Sequence, residues 1–159
     1  MLVYHGLVTS KLRYGLICWG SASKFLLDKV NVAHNKIITY MTFEKRNSRI
    51  WPLYCQLKVL PLRILIQVEY AKTMYKFEHK TLPEAFNSYF KRPSHQHYTR
   101  FAKNNYEKVR ITSAKEKSLL KFIGPNIWSK IPVNIKDSGS LKVFIHSFKI
   151  HLIGNYDDS

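Results

Sequence analysis

Between residues 1 and 90 the apolar side chains recur at helical spacing, and proline stands where each later period begins. Val8, Leu12, Leu16 and Trp19, with Gly15 as a small packing residue among them, predict one helix that ends before Gly20. Ser21 or Ser23 then caps a second helix, whose apolar stripe is Leu26, Val30, Ala33, Ile37 and Met41 and whose other face carries Lys29, Asn31, Asn35 and Lys36. Pro52 opens a short helix with Leu53, Tyr54 and Leu57. Pro61 opens a longer one, which buries Leu62, Leu65, Ile66, Met74 and Phe77 and leaves Arg63, Lys72, Lys76 and Lys80 in water. Pro83 repeats the device for Phe86, Tyr89 and Phe90.

After Lys91 the period is lost. Residues 91–106 read as an extended polar and aromatic connection, so the chain divides into a helical region, 1–90, and a basic C-terminal region, 91–159. Val109 and Ile111 alternate with Lys108, Arg110 and Thr112, and Leu119 to Ile123 form a second β-prone run, which together predict a hairpin stopped by Gly124 and Pro125. Trp128, between Ile127 and Ile131, reads as packing. Ser140 caps a last helix with Leu141, Phe144, Phe148 and Leu152 inward and Gly154 at its end. The expected class is mainly α: a helical bundle, then a small basic segment with a β-hairpin and a C-terminal helix.

Charge narrows the partner. The chain has 26 Lys and Arg against 10 Asp and Glu, a formal net charge of +16, yet it is 45% hydrophobic, too apolar for a disordered basic tail. No apolar run approaches the roughly 18 residues of a membrane span. The apolar N-terminal stretch contains Lys11 and Arg13 and no small-residue cleavage site, so it does not read as a secretory signal. These features predict an intracellular protein of nucleus or cytoplasm, with no membrane and with nucleic acid as the commonest anionic partner. Residues 91–130 hold ten bases and two acids, half of the net charge. Phosphate contacts are therefore expected from Lys91, Arg92, Arg100, Lys103, Lys108 and Arg110, with Tyr98 and Tyr106 as stacking platforms. The same block also reads as a solvated basic loop that touches nothing.

Catalytic patterns are missing. Cys18 and Cys55 form no CxxC pair and read as small core residues. His95 with His97, and His146 with His151, lack the cysteines or carboxylates of a metal shell and read as surface histidines. There is no GxxxxGK[ST] or GxGxxG loop and no GxSxG elbow. Tyr156-Asp157-Asp158 resembles the tyrosine and paired aspartates with which many reverse transcriptases hold two metal ions about 3.5–4 Å apart, but with only Ser159 after it the pair reads as an acidic tail.

Seven segments, in order, resemble one family. Tyr14-Gly15-Leu16-Ile17-Cys18-Trp19-Gly20 is similar to the "YG…WG" segment that follows the polymerase core of LINE-type, Jockey-like non-LTR retrotransposon reverse transcriptases. Leu26 to Met41 resembles the family's next helix, with Val32-Ala33-His34-Asn35-Lys36 in place of a Gln-Lys/Arg-Lys/Arg run. Pro52-Leu53-Tyr54 with Leu57-Lys58-Val59-Leu60-Pro61-Leu62 resembles "PLF…L.ILPL", and Met74-Tyr75-Lys76-Phe77 with Leu82-Pro83 resembles "FMYKF…LP". His97-Tyr98-Thr99-Arg100 is similar to "YNTR" without its Asn, Gly124 to Pro132 to "GPKIWNSLP", and Ser140-Leu141 through Phe148-Lys149 to a closing "SL..FK".

The resemblance spans about residues 3–153 and implies the end of the thumb and the region beyond it in an RNA-directed DNA polymerase. It places the fingers, the palm aspartates, their Mg²⁺ and the endonuclease outside these residues, and reads Met1 as an internal methionine, a gene-model start or the start of a degraded copy. Its implied partners are RNA or an RNA/DNA template-primer and the polymerase core; no catalytic residue and no cofactor is expected in this chain. Three classes follow: a thumb fragment that grips nucleic acid and does not polymerise alone, a stand-alone basic RNA- or single-stranded-DNA-binding module, and a nonfunctional remnant.

Overall fold

The computed structural model of the chain describes residues 2–45, 47–93, 105–107 and 119–155, and among these it is helical, with no strand. A π-helical stretch, Tyr4–Thr9, runs into α1 (Ser10–Arg13), followed by α2 (Leu16–Trp19), α3 (Lys24–Thr42), α4 (Ile50–Leu57) and α5 (Leu62–Glu78). A 3₁₀ turn at Glu84–Phe86 precedes α6 (Leu120–Lys130), α7 (Val133–Lys136) and α8 (Leu141–Gly154). None of the described helices is long and apolar enough to cross a membrane. The chain forms two compact units that divide within α5, after Ile66. The junction expected at residue 91 lies inside the second unit, where the Glu107 N–H donates to the Lys91 carbonyl at 2.8 Å.

In the first unit, the single helix expected from Val8 to Trp19 is broken. Gly15 adopts φ +61°, a left-handed conformation that a Cβ disfavours, and α2 restarts from it. Trp19 Nε1–H bridges the break by donating to the Tyr14 carbonyl at 2.9 Å. The restart lets Leu16 join Leu62 and Leu65 in one core cluster, while Tyr4, Ile38, Leu53, Tyr54 and Val59 form another. Each such side chain taken fully out of water contributes about 1.5–3 kcal/mol relative to exposure.

Helix α3 begins after Ser23, one of the two expected cap positions, but the Ser23 side chain makes no capping hydrogen bond and the buried line is not the expected stripe. Leu26 and Ala33 are exposed, and the core takes His34 and Ile38, with Val30, Ile37 and Met41 partly covered. The cause is that α3 carries apolar residues on two sides, so periodicity alone does not choose between them. Cys18 and Cys55, expected in the core, are both exposed thiols.

In the second unit, α5 is enclosed on most sides: Val68, Tyr70, Ala71, Thr73, Met74 and Tyr75 are all buried. Of its expected wet lysines, Lys72 and Lys76 are half-covered, and Lys72 pairs with Glu69 at 3.3 Å. Ser140 caps α8 as expected, its hydroxyl accepting from the Val143 N–H at 3.3 Å. Phe144 and Phe148 of α8 are buried, and Phe144 meets Tyr75 and Trp128 with ring centroids 4.6 and 6.0 Å away. The Tyr75 hydroxyl donates to the Ser138 carbonyl at 2.6 Å.

The expected hairpin is corrected on its second side. Leu119 to Ile123 enter α6, because Leu120, Ile123, Ile127 and Trp128 also satisfy a helical period. Gly124 and Pro125 do not stop the run but lie buried inside that helix. A Cβ on Gly124 would stand 2.7 Å from the Met74 sulfur, so glycine is what allows this approach. Pro125 removes one helical N–H, and the Asn126 side-chain amide donates to the Phe122 carbonyl at 2.9 Å beside it. The hairpin's first run, 108–112, lies outside the described residues, as does Tyr156-Asp157-Asp158.

Candidate nucleic-acid interface

Three of the eight expected contact residues fall in the described part of the basic region. Lys91 is exposed. Arg92 is exposed as well, but its guanidinium donates to the Glu78 carboxylate and lies 5.6 Å from the centroid of the Tyr106 ring. Tyr106 is a correction. A stacking platform needs an open ring face, whereas Tyr106 is buried edge-on against Phe77 at 5.5 Å, and its hydroxyl donates to Glu78. Burial and the adjacent carboxylate both push the Tyr106 phenol above its ordinary range. Tyr98, Arg100, Lys103, Lys108 and Arg110 lie outside the described residues.

Glu78, on the last turn of α5, thus organises this end of the basic region. The surrounding half-open cavity of about 410 Å³ is lined by Phe77, Lys80, Asn87 and Phe90 as well as Glu78, Arg92 and Tyr106. Nearby Lys136 is buried, with Nζ donating to Asn105 Oδ1 at 3.1 Å and lying 5.2 Å from the Trp128 ring centroid. Burial lowers its pKa, against the opposing pull of Glu78 and Asp137. Arg92 and Lys136 therefore serve the second unit's internal packing. Trp128 is buried, in keeping with a packing role.

The first unit contains a polar centre that periodicity did not pick out. His34 Nε2 lies 2.5 Å from the Tyr4 hydroxyl, and Nδ1 lies 3.0 Å from the Tyr54 hydroxyl, which itself donates to Asn35 Oδ1 at 2.7 Å. This chain fixes the tautomer. Because the Tyr54 proton goes to Asn35, Tyr54 can only accept from Nδ1–H, and Nε2 must then accept from Tyr4. Both ring nitrogens are satisfied in this arrangement with the imidazole neutral, and burial pushes the His34 pKa down to about 4. Burial likewise raises the Tyr4 phenol. The sequence signal was available: His34 precedes Ile38 by one helical turn, on the side that the core covers.

The described residues bring together no cluster of His, Cys, Asp or Glu that would hold the Mg²⁺ which the family resemblance assigns to a polymerase palm. Comparison with protein-family models, with curated proteins and with solved structures finds no match.

Proposed function

We propose that the chain holds RNA or a template-primer hybrid through phosphate contacts, as the thumb and post-thumb part of a retrotransposon-type RNA-directed DNA polymerase. The observation that carries this reading is the concentration of charge: ten bases against two acids in residues 91–130 of a chain that also folds around well-filled helical cores. A surface of this kind neutralises phosphates without reading sequence, and its affinity comes largely from counterion release. The family-like sequence segments from Tyr14 to Lys149, in their common order along the chain, support the polymerase context. Chemistry would be done by palm carboxylates, which these residues do not include.

The test is titration of a labelled RNA strand with the full chain at rising salt. If six phosphates are neutralised, the slope of log affinity against log salt is about −4 on a single strand and about −5 on a duplex. Replacing Arg100, Lys103, Lys108 and Arg110 together by Gln lowers the single-strand slope by about 3, whereas Lys142→Gln, on exposed α8 surface, leaves it within about 1. An affinity that ignores salt overturns the reading. Incorporation of labelled nucleotides by the purified chain with Mg²⁺ would overturn the assignment of catalysis to other residues.

A further inference from the structure

Opposite its buried side, α3 carries Phe25, Lys29, Val32, Lys36 and Tyr40. Their spacing of four, three, four and four residues puts all five within an arc of about 80° at 3.6 residues per turn. Phe25 is 67% exposed, Val32 52% and Tyr40 77%, and both lysines are exposed. The core on the far side is built from His34 and Ile38 and makes no use of these rings. A helix face that meets only water is ordinarily polar, so two open aromatic rings interleaved with two cations, and no carboxylate within the arc, describe a surface made for an anion with flat apolar parts.

Two further details fit that ligand. Lys29 Nζ stands 4.3 Å from the centroid of the Phe25 ring, so a positive charge is already gathered at a ring that is two-thirds open. At the other end, Tyr40 and Lys36 wall a groove of about 520 Å³ that presents Asn35, Thr39, Glu44 and Ser48 beside the apolar Val32 and Ile50. Asn35 Oδ1 is taken by the Tyr54 hydroxyl, which leaves the amide NH₂ as what this side chain offers a ligand.

We infer that this face of α3 and its groove bind single-stranded nucleic acid, with Lys29 and Lys36 on phosphates, Phe25 and Tyr40 stacked on bases, and a base edge in the groove beside Asn35. The inference rests on the nucleic-acid reading above and adds to it a second surface, in the first unit, of defined chemistry. A single strand is specified because the bases of a duplex are already stacked on one another and offer no face to a ring on a helix. Thr39 and Ser48 of the groove already donate to the Asn35 carbonyl and to Glu44, so the Asn35 amide NH₂ is the donor it offers a base edge. Phe25 and Tyr40 are about 22 Å apart along the helix axis, so the strand would cross the face over several nucleotides.

Two double variants of the full chain test this against a labelled oligo-uridine, with circular dichroism to confirm that these exposed positions leave the helices intact. Phe25→Ala with Tyr40→Ala is expected to weaken single-strand binding by about 5- to 150-fold for each ring, with the salt slope unchanged and duplex binding little affected. Lys29→Gln with Lys36→Gln is expected to lower the salt slope by about 1.4. If the wild type binds and both variants match it in affinity and slope, this surface is wrong and the basic block alone remains. If the wild type binds no oligonucleotide at any salt, the nucleic-acid reading fails and this inference with it. A ring variant that keeps oligo-uridine binding but no longer adsorbs to phosphatidylserine vesicles overturns the inference in favour of a membrane surface.

Discussion

The neutral His34 at the centre of the first unit makes its stability depend on pH in a defined direction. An unfolded chain binds a proton at an ordinary histidine near pH 6.5, whereas the folded chain resists it until pH falls to about 4. Between those values the unfolded state holds more protons, so stability is full above about pH 6.5, falls as the solution is acidified, and levels off below about 4. At about 1.4 kcal/mol per unit the whole effect is roughly 3 kcal/mol, of which about 2.5 kcal/mol is lost between pH 7.5 and 4.5. That is a sizeable part of the stability of a small domain. The perturbation is His34→Gln, which removes the titration while keeping an amide between the two hydroxyls. At pH 7.5 the variant should be less stable by about 1–3 kcal/mol, because a buried hydroxyl loses its partner. The gap, measured by urea unfolding, should then narrow by about 2.5 kcal/mol at pH 4.5, since the carboxylates and the other histidines titrate in both proteins alike. The imidazole resonances of His34 should titrate near pH 4. Parallel pH curves for the two proteins, or a midpoint near 6.5, would refute the reasoning.

Four smaller perturbations test the packing. Gly124→Ala drives a Cβ to within 2.7 Å of the Met74 sulfur and 3.3 Å of the Phe90 ring, and should cost about 1–3 kcal/mol in thermal or urea unfolding. Gly139→Ala, where nothing lies within 4 Å, should stay within about 0.5 kcal/mol. Gly15→Ala puts a side chain at φ +61° and should cost about 1–2 kcal/mol, read in the same assay. Tyr106→Phe removes the hydroxyl that donates to Glu78 and should lower stability by about 1 kcal/mol while leaving RNA affinity within twofold; a larger loss of affinity would return Tyr106 to the contact surface.

Helix content, Pro52 within the first turn of α4, Pro61 just before α5 and the Ser140 cap were legible because each rests on a local rule that the core does not oppose. The failures have a common cause in packing across the chain. Leu119 to Ile123 satisfy a strand period and a helix period equally, and what selects the helix is Gly124, whose missing side chain lets α6 lie against Met74 and Phe90. That choice depends on residues 34 and 50 positions away, which no local window contains. Gly15 looked like a packing residue at helical spacing, but its left-handed conformation re-aims the chain so that Leu16 reaches Leu62 and Leu65.

Arg92 and Tyr106 show a related effect: a count of charges and rings along the chain does not distinguish side chains that face water from those that serve the fold. Arg92 is engaged by Glu78, fourteen residues earlier, and Lys136 is buried over Trp128, so neither adds its full charge to the surface. Conversely, Lys29 and Lys36 lie in a stretch whose count is unremarkable, five bases and one acid over residues 1–40, yet they stand in line with two open rings. Once His34 is seen to take the buried side of α3, Phe25, Val32 and Tyr40 can no longer be core, and the apolar pattern that blurred the helix's inward face becomes the reason to assign a function to its outward one.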